Sequence, residues 1–548
     1  MASPLRGADN GSAGDCGNGR QPYLLSAAAR RAPNVLYVVW DDAGIATWDA
    51  FGGLIETPNM AWLAARGLRY SQWHTSALSS PTRTCLLTGR SDGAPQAGTL
   101  AEILAENGYR TYCVGKWHLS PPSAPDMAES RETWPLRRGF DRYYGFLGEA
   151  TSQWDPDLIY DNQHVDPPYL PADGYHLSAD LVGMAAEFIR DGAQTAPGRP
   201  WLCYLSFGAT GIPQSAPREW AEMYRGRFDA GYDHYREIVL ENMRRLRLVP
   251  DRSELTPAGR RLVRGQAARA VRPWHSLSDD QKQLSSRLAE SSAGLCSYTD
   301  HQVGRLLRYL EESGQLADTI VVACSANATG ASGSRGGPAG GSELFASGPG
   351  DAADGSWHRD LTGAAGRSLC SAGWERAFRM PYSMLRQPAP GDSVASPLII
   401  SSAPDMRDVA GGVRDQFHHA VDIVPTILDC AGVDRPQIIK GHAQPAMHGV
   451  SMRYSFTAPD EPSVRLTQRC DMPGGQAYHA AAGQAVLDDH AVLDDHAVLD
   501  DLAEVDDLAE VDDLAARYPQ EAAELASLWA AAAPGGSGGE AQDDRVAG

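Results

Sequence analysis

Five short, continuously apolar runs limit what this chain can fold into more than any other feature of it. Asn34–Trp40, Arg110–Val114, Trp201–Phe207, Thr319–Cys324 and Pro397–Ile400 show no apolar/polar alternation, which is the pattern of strands buried on both faces. Between them lie stretches with apolar residues at helical spacing: Asn59–Arg66, Thr99–Asn107, Ser178–Arg190, Ser278–Glu312 and His418–Cys430. Strands of this kind separated by amphipathic helices predict an α/β protein with a mainly parallel central sheet covered by helices on both sides. Ligands of such sheets bind beyond the carboxyl ends of the strands. The residues just past each run are therefore the candidates for chemistry.

A chain of 548 residues with 43% hydrophobic and 21% charged residues can bury a large core without staples. Its 69 acidic against 48 basic residues, net −21, disfavour a general affinity for nucleic acid or for an anionic membrane. An anionic substrate would have to be attracted locally. Only three lysines occur, Lys116, Lys282 and Lys440, so a lysine at a strand end stands out. The nine cysteines include no C-x-x-C pair and no zinc-spaced His/Cys cluster, which argues against a thiol-metal site and fits a reducing compartment. No signal-like apolar segment opens the sequence and no run of about 18 apolar residues occurs, so the expected address is cytoplasmic. Nothing in the sequence speaks to oligomeric state.

Composition divides the chain. Residues 1–32 read as a disordered leader, 33–445 as the main α/β domain, 446–533 as a smaller C-terminal α+β subdomain and 534–548 as a disordered tail. Within the main domain, 329–371 is a Gly/Ser-rich insertion. Within the subdomain, 485–514 is a tandem hexad, AVLDDH-AVLDDH-AVLDDL-AEVDDL-AEVDDL, whose six-residue period smears its apolar positions around a helix. It reads as a duplicated surface segment rather than a cation site. A helix is expected over 519–532.

Asp41 and Asp42 follow the first strand directly. Two adjacent carboxylates repel, and a hard cation is the usual way to hold both in one pocket, although such a pair alone is more often an exposed turn. Context comes from Ser79-Ser-Pro-Thr-Arg83-Thr-Cys-Leu-Leu-Thr-Gly-Arg90. This segment resembles the sulfatase signature, in which Cys or Ser is followed by x-Pro-x-Arg and then by Leu-Thr-Gly-Arg. Further similarity lies in Pro33-Asn-Val-Leu, Thr57-Pro-Asn-Met, Gly108-Tyr-Arg-Thr-Tyr-Cys-Val-Gly-Lys-Trp-His-Leu119, Gly139-Phe-Asp-Arg-Tyr-Tyr-Gly-Phe146, Val421-Asp-Ile-Val-Pro-Thr426 and His448-Gly-Val-Ser-Met-Arg-Tyr454. The resemblance is to arylsulfatase-type sulfatases of the alkaline phosphatase superfamily.

That resemblance implies an alkaline-phosphatase-like three-layer sandwich that hydrolyses a small-molecule sulfate ester with one Ca²⁺ or Mg²⁺ ion. It implies that Ser79 is oxidised to formylglycine, whose hydrate attacks sulfur with one hydroxyl and later ejects sulfate with the other. Arg83 would stabilise that hydrate, and Lys116 and His118 would bind the nucleophile and the sulfate oxygens. Asp41, Asp42 and Asn327 would ligate the metal.

Several positions depart from the family pattern. Residue 79 is serine, which depends on a radical maturase, where the commoner branch has cysteine. The His-x-Pro-His segment after the strand ending at Phe207 is replaced, with Gly211 and Gln214 where the histidines stand, so a general acid is missing. Ser-Asp-Asn-Gly becomes Ser325-Ala326-Asn327-Ala328, which exchanges one anionic metal ligand for a methyl group. The family's second lysine aligns with Arg386. Reduced activity is the expectation, and a catalytically inactive relative that binds an anion or a partner is the alternative.

Overall fold

The computed structural model describes residues 32–76, 79–91, 93, 97–120, 131–251, 253, 255, 272–327, 371–380, 394–401 and 409–465, and the backbone of four strands between 467 and 495. The leader (but for residue 32), the Gly/Ser-rich insertion (but for residue 371), Arg386, most of the hexad repeat, the 519–532 helix and the tail lie outside the described residues.

Ten strands form the central sheet: β1 (Asn34–Trp40), β2 (Gly67–Tyr70), β3 (Arg110–Lys116), β4 (Arg142–Phe146), β5 (Leu158–Tyr160), β6 (Gln163–Val165), β7 (Trp201–Ser206), β8 (Thr319–Ser325), β9 (Leu398–Ser401) and β10 (Gly412–Arg414). Their spatial order is β10-β2-β9-β8-β1-β7-β3-β4-β5-β6. The centre, β8-β1-β7-β3-β4, is wholly parallel. β9 pairs antiparallel with both of its neighbours, as does β5.

Among the described residues, the α-helices of five or more residues are α1 (Pro58–Arg66), α2 (Ser79–Thr88), α3 (Leu100–Glu106), α4 (Leu177–Thr195), α5 (Arg218–Glu222), α6 (Gly231–Arg245), α7 (Asp279–Glu312), α8 (Ala372–Phe378) and α9 (Ile423–Ala431). Alternate side chains of one strand point to opposite faces, and β1 shows why its run needs no polar residue. Leu36, Val38 and Trp40 enter a core with α1, α4, α6, α7 and α8, whereas Val35, Tyr37 and Val39 enter a second core with α2, α3 and α9. The sheet is thus the middle of three layers, the architecture expected.

The five apolar runs all became strands, and four of the five expected helices lie within a few residues of their predicted spans. The fifth, His418–Cys430, starts instead at Ile423, because His418 and His419 pair with Trp73 and His74 in a small separate sheet. The strands Thr467–Met472, Gly475–Ala480, Gly483–Leu487 and Val492–Asp495 form an antiparallel sheet, so the start of the hexad repeat is extended.

One buried ion pair fastens the chain after α9 to the core. Asp422, fully buried, accepts hydrogen bonds from His419 N at 3.0 Å, Val450 N at 2.8 Å and Arg465 Nε at 2.7 Å. Burial alone would raise this carboxyl, but Arg465 and His418 hold it well below the usual carboxylate range. Its contribution to stability is therefore present above the unfolded-chain value, about pH 4, and is lost as pH falls below that. Replacing Arg465 by Ala leaves that carboxylate buried without its cation, and we expect a loss of about 3–5 kcal/mol in urea unfolding at neutral pH. The loss should shrink below about pH 4.

Candidate active site

Four neighbouring strands, β8, β1, β7 and β3, end side by side, and each delivers polar residues from its carboxyl end. β1 leads into Asp41 and Asp42, β3 ends on Lys116 with His118 two residues on, β7 ends on Ser206, and β8 ends on Ser325 before Ala326 and Asn327. Strands are spaced about 4.8 Å apart, so side chains from all four can converge on one pocket. The signature segment is helical: α2 begins at Ser79, which places residue 79 at a helix N-terminus, where backbone N–H groups and the helix dipole favour negative charge.

Asp41 is the hub. Its Oδ1 accepts from Ser79 Oγ at 3.1 Å and from Arg83 Nη2 at 3.0 Å, and its Oδ2 accepts from Lys116 Nζ at 2.7 Å. Arg83 Nε donates to Ser79 Oγ at 3.0 Å, so the serine oxygen sits between a guanidinium and a carboxylate. Arg83 has no exposed surface, and its remaining nitrogen donates to Ser206 Oγ and to Tyr204 OH, the latter at 3.4 Å. The backbone of Asp41 is held from β7's far end: its N–H donates to Ala209 O at 2.9 Å and its carbonyl accepts from Thr210 N at 2.6 Å.

Asp42, at φ 56°, accepts from Asn327 Nδ2. Ser325 Oγ joins the two loops, accepting from Ala43 N at 3.0 Å and donating to Asn327 O at 2.7 Å. His118 also has positive φ, 54°. Left-handed backbone at a non-glycine residue costs energy and tends to accompany function.

The charges reinforce one another. Burial would raise the Asp41 carboxyl, but Lys116 and Arg83 outweigh it and hold Asp41 ionised. Burial and the adjacent Asp41 charge push Asp42 well above the usual carboxylate range, against the pull of Lys116 and Arg379. Burial, together with the charges of Lys116 and Arg83, lowers the His118 imidazole to about 3. His118 is therefore neutral near pH 7, and its buried Nδ1 has no hydrogen-bond partner among the described residues.

All seven residues singled out from the sequence lie at this edge of the sheet. Ser79, Arg83, Lys116 and Asp41 form one hydrogen-bonded group, Asp42 and Asn327 form an adjoining pair, and His118 follows Lys116 within the reach of its field. Ser206, Tyr204 and Ser325 were not foreseen. Their only sequence signal is a hydroxyl at the last or near-last position of an apolar strand. Gly115 is a second missed support: at φ 102°, a Cβ there would lie 1.8 Å from Ser206 O, so β3 and β7 approach closely only because residue 115 is glycine.

The departures also take structural form. A Cβ on Gly211 would stand 2.6 Å from Asp41 Oδ2, and Gln214 donates its amide to Thr210 O at 2.9 Å rather than into the group around Ser79. Ala326 is fully buried in the second core. The donor set for a Ca²⁺ or Mg²⁺ ion is correspondingly short. Among the described residues, no third His, Cys, Asp or Glu joins Asp41 and Asp42 in a metal-holding group. The Asp41 oxygens already face Lys116 and Arg83. As they stand, these residues do not fit a resident divalent ion.

Among the described residues, no helix is long and apolar enough to cross a membrane. A sulfatase family model matches residues 33–433. The chain is 26% identical over 330 residues to the arylsulfatase of Klebsiella aerogenes, a match covering 54% of this chain and 66% of that one. It is also 26% identical over 467 residues to the N-acetylglucosamine-6-O-sulfatase of Bacteroides thetaiotaomicron, covering 75% of this chain and 70% of that one. Solved structures share the fold. One, of a protein in complex with its substrate D-glucosamine-2-N,6-O-disulfate, superposes with TM-score 0.56 at 16% identity, covering 91% of this chain and 97% of that one. A sulfatase from Pseudoalteromonas sp. gives TM-score 0.53 at 16% identity, covering 92% and 91%. From the signature helix to the order of the strands, the chain belongs to the sulfatase family.

Proposed function

We propose that this chain is an arylsulfatase-like hydrolase of a small-molecule sulfate ester, with Ser79 as the attacking group and with low turnover. The reading is carried by one observation: Ser79 Oγ is held by Arg83 Nε at 3.0 Å and directs its proton to the ionised Asp41 Oδ1 at 3.1 Å, beside Lys116. As Oγ attacks sulfur, Asp41 takes the hydroxyl proton, an O–S bond forms, and the bond from sulfur to the leaving oxygen breaks. Arg83 and Lys116 face the charge that builds on the sulfuryl oxygens.

With Gly211 in place of an imidazole, no acid among the described residues is aimed at the departing oxygen, which favours phenolic leaving groups over sugar hydroxyls. The serine sulfate left behind lacks a second hydroxyl, so its release requires water and is slow. Were Ser79 converted to formylglycine, the hydrate would supply that hydroxyl. The family generally uses a divalent ion. In this chain Asp41, Asp42 and Asn327 are the residues that would have to hold it, and no step above is routed through one. A cytoplasmic setting belongs to the same proposal.

The losses at Gly211, Gln214 and Ala326 favour a second reading, an inactive relative that keeps only the anion site. Incubation with a chromogenic aryl sulfate separates the two. On the first reading, unmodified protein releases a burst of about one phenol per chain and then turns over slowly. Intact mass then shows one sulfuryl group on the Ser79 peptide, and Ser79→Ala gives neither signal. Absence of both burst and adduct sinks the hydrolase. In active protein, Lys116→Ala should lower kcat/KM by about 10²–10³-fold. The His118 imidazole, lowered to about 3, should show no NMR titration between pH 8 and pH 5.

A further inference from the structure

Two adjacent aspartates at a strand end normally call for a hard cation, yet the groups around them here are arranged for another solution. Both Asp41 oxygens already meet positive charge, Arg83 Nη2 at 3.0 Å and Lys116 Nζ at 2.7 Å. Lys116 Nζ thus already supplies positive charge at Oδ2. Asp42 meets the amide nitrogen of Asn327. Between Ser325 and Asn327 comes the methyl group of Ala326, fully buried. Ca²⁺ typically takes about 6–8 oxygens, and the described residues bring no third His, Cys, Asp or Glu to this pair.

The arrangement of the charges points the same way. Two basic groups meet Asp41 at the N-terminal end of α2, and Asp42 is paired with Asn327. A dication arriving there is repelled by both. A tetrahedral oxyanion arriving at Ser79 is attracted by both, and by the helix N-terminus beside it.

We propose that this pocket binds its oxyanion without a divalent cation, Lys116 and Arg83 supplying the positive charge that a metal would otherwise bring. The proposal rests on reading the pocket as a sulfate-class site but not on its turning over. Sulfate recognition and metal recognition become separable here, and each can be read by binding alone.

The test is calorimetric titration of the full chain after EDTA treatment and desalting, with sodium sulfate, CaCl₂ and MgCl₂ as separate titrants. Sulfate should give a saturating binding heat whose midpoint is the same with EDTA present and with millimolar Ca²⁺ present. Lys116→Met, neutral and of similar length, should weaken that binding at least tenfold. Neither Ca²⁺ nor Mg²⁺ should give a heat that depends on Asp42. Ala326→Asp restores the carboxylate of the family pattern at that position, and a Ca²⁺ heat that it gains, and that Asp42→Asn removes, supports the assignment. Should Ala326→Asp fail to fold, the wild-type titrations decide alone. The proposal is overturned if wild-type protein binds Ca²⁺ or Mg²⁺ in a manner abolished by Asp42→Asn, if EDTA removes the sulfate heat, or if sulfate gives no heat at all. Intact sulfate binding without any aryl sulfate turnover would sink the hydrolase reading and leave this one standing.

Discussion

The carboxylate of Asp41 organises the pocket. It is buried, it carries charge, and it is shared by Arg83, Lys116 and Ser79. A lone carboxylate in that position would be driven to protonate, and lone basic groups there to lose their charge, because each is costly to take out of water. Together Lys116 and Arg83 keep Asp41 ionised, while burial pulls Lys116 below the usual lysine range against the opposing pull of Asp41. Their geometry is not negotiated by flexible loops: it follows from four strands whose ends are aligned by backbone ladders running from Asn34 to Ser325. The sheet therefore sets both where the charges lie and how closely they approach.

Support from outside the charged group is equally specific. Tyr204 and Ser206 receive the guanidinium of Arg83, and Thr210 and Ala209 pin the Asp41 backbone. Such contacts pre-position the functional groups, so that little rearrangement is needed when an anion enters. In contrast, the Asp42–Asn327 pair lies off to one side, joined to the rest through Ser325.

Legibility in the sequence tracked burial on two faces. β1, β3, β7 and β8 were readable because both cores demand apolar residues at every position. β2, β4, β5, β6 and β10 were not: Gly67-Leu-Arg-Tyr70 and Arg142-Tyr-Tyr-Gly-Phe146 carry arginine and glycine, and several of the others span only three residues. α6 was not among the helices expected from the sequence. At the site, residues in a contiguous motif or at a strand end were visible: Ser79, Arg83, Asp41, Asp42, Lys116 and His118. Partners set by lateral neighbours, such as Ser206 against Arg83, depend on strand order and so could not be read from spacing along the chain.

Gly211 carries a steric consequence. Because a Cβ there would meet Asp41 Oδ2 at 2.6 Å, placing an imidazole at 211 is not a single-residue change. The Asp41–Lys116 pairing, or the 208–214 turn, would have to shift first, and each intermediate would strain a buried charge before gaining a proton donor. The Asp41–Lys116 pair thereby acts as a lock on residue 211, admitting only the smallest side chain while it stays closed.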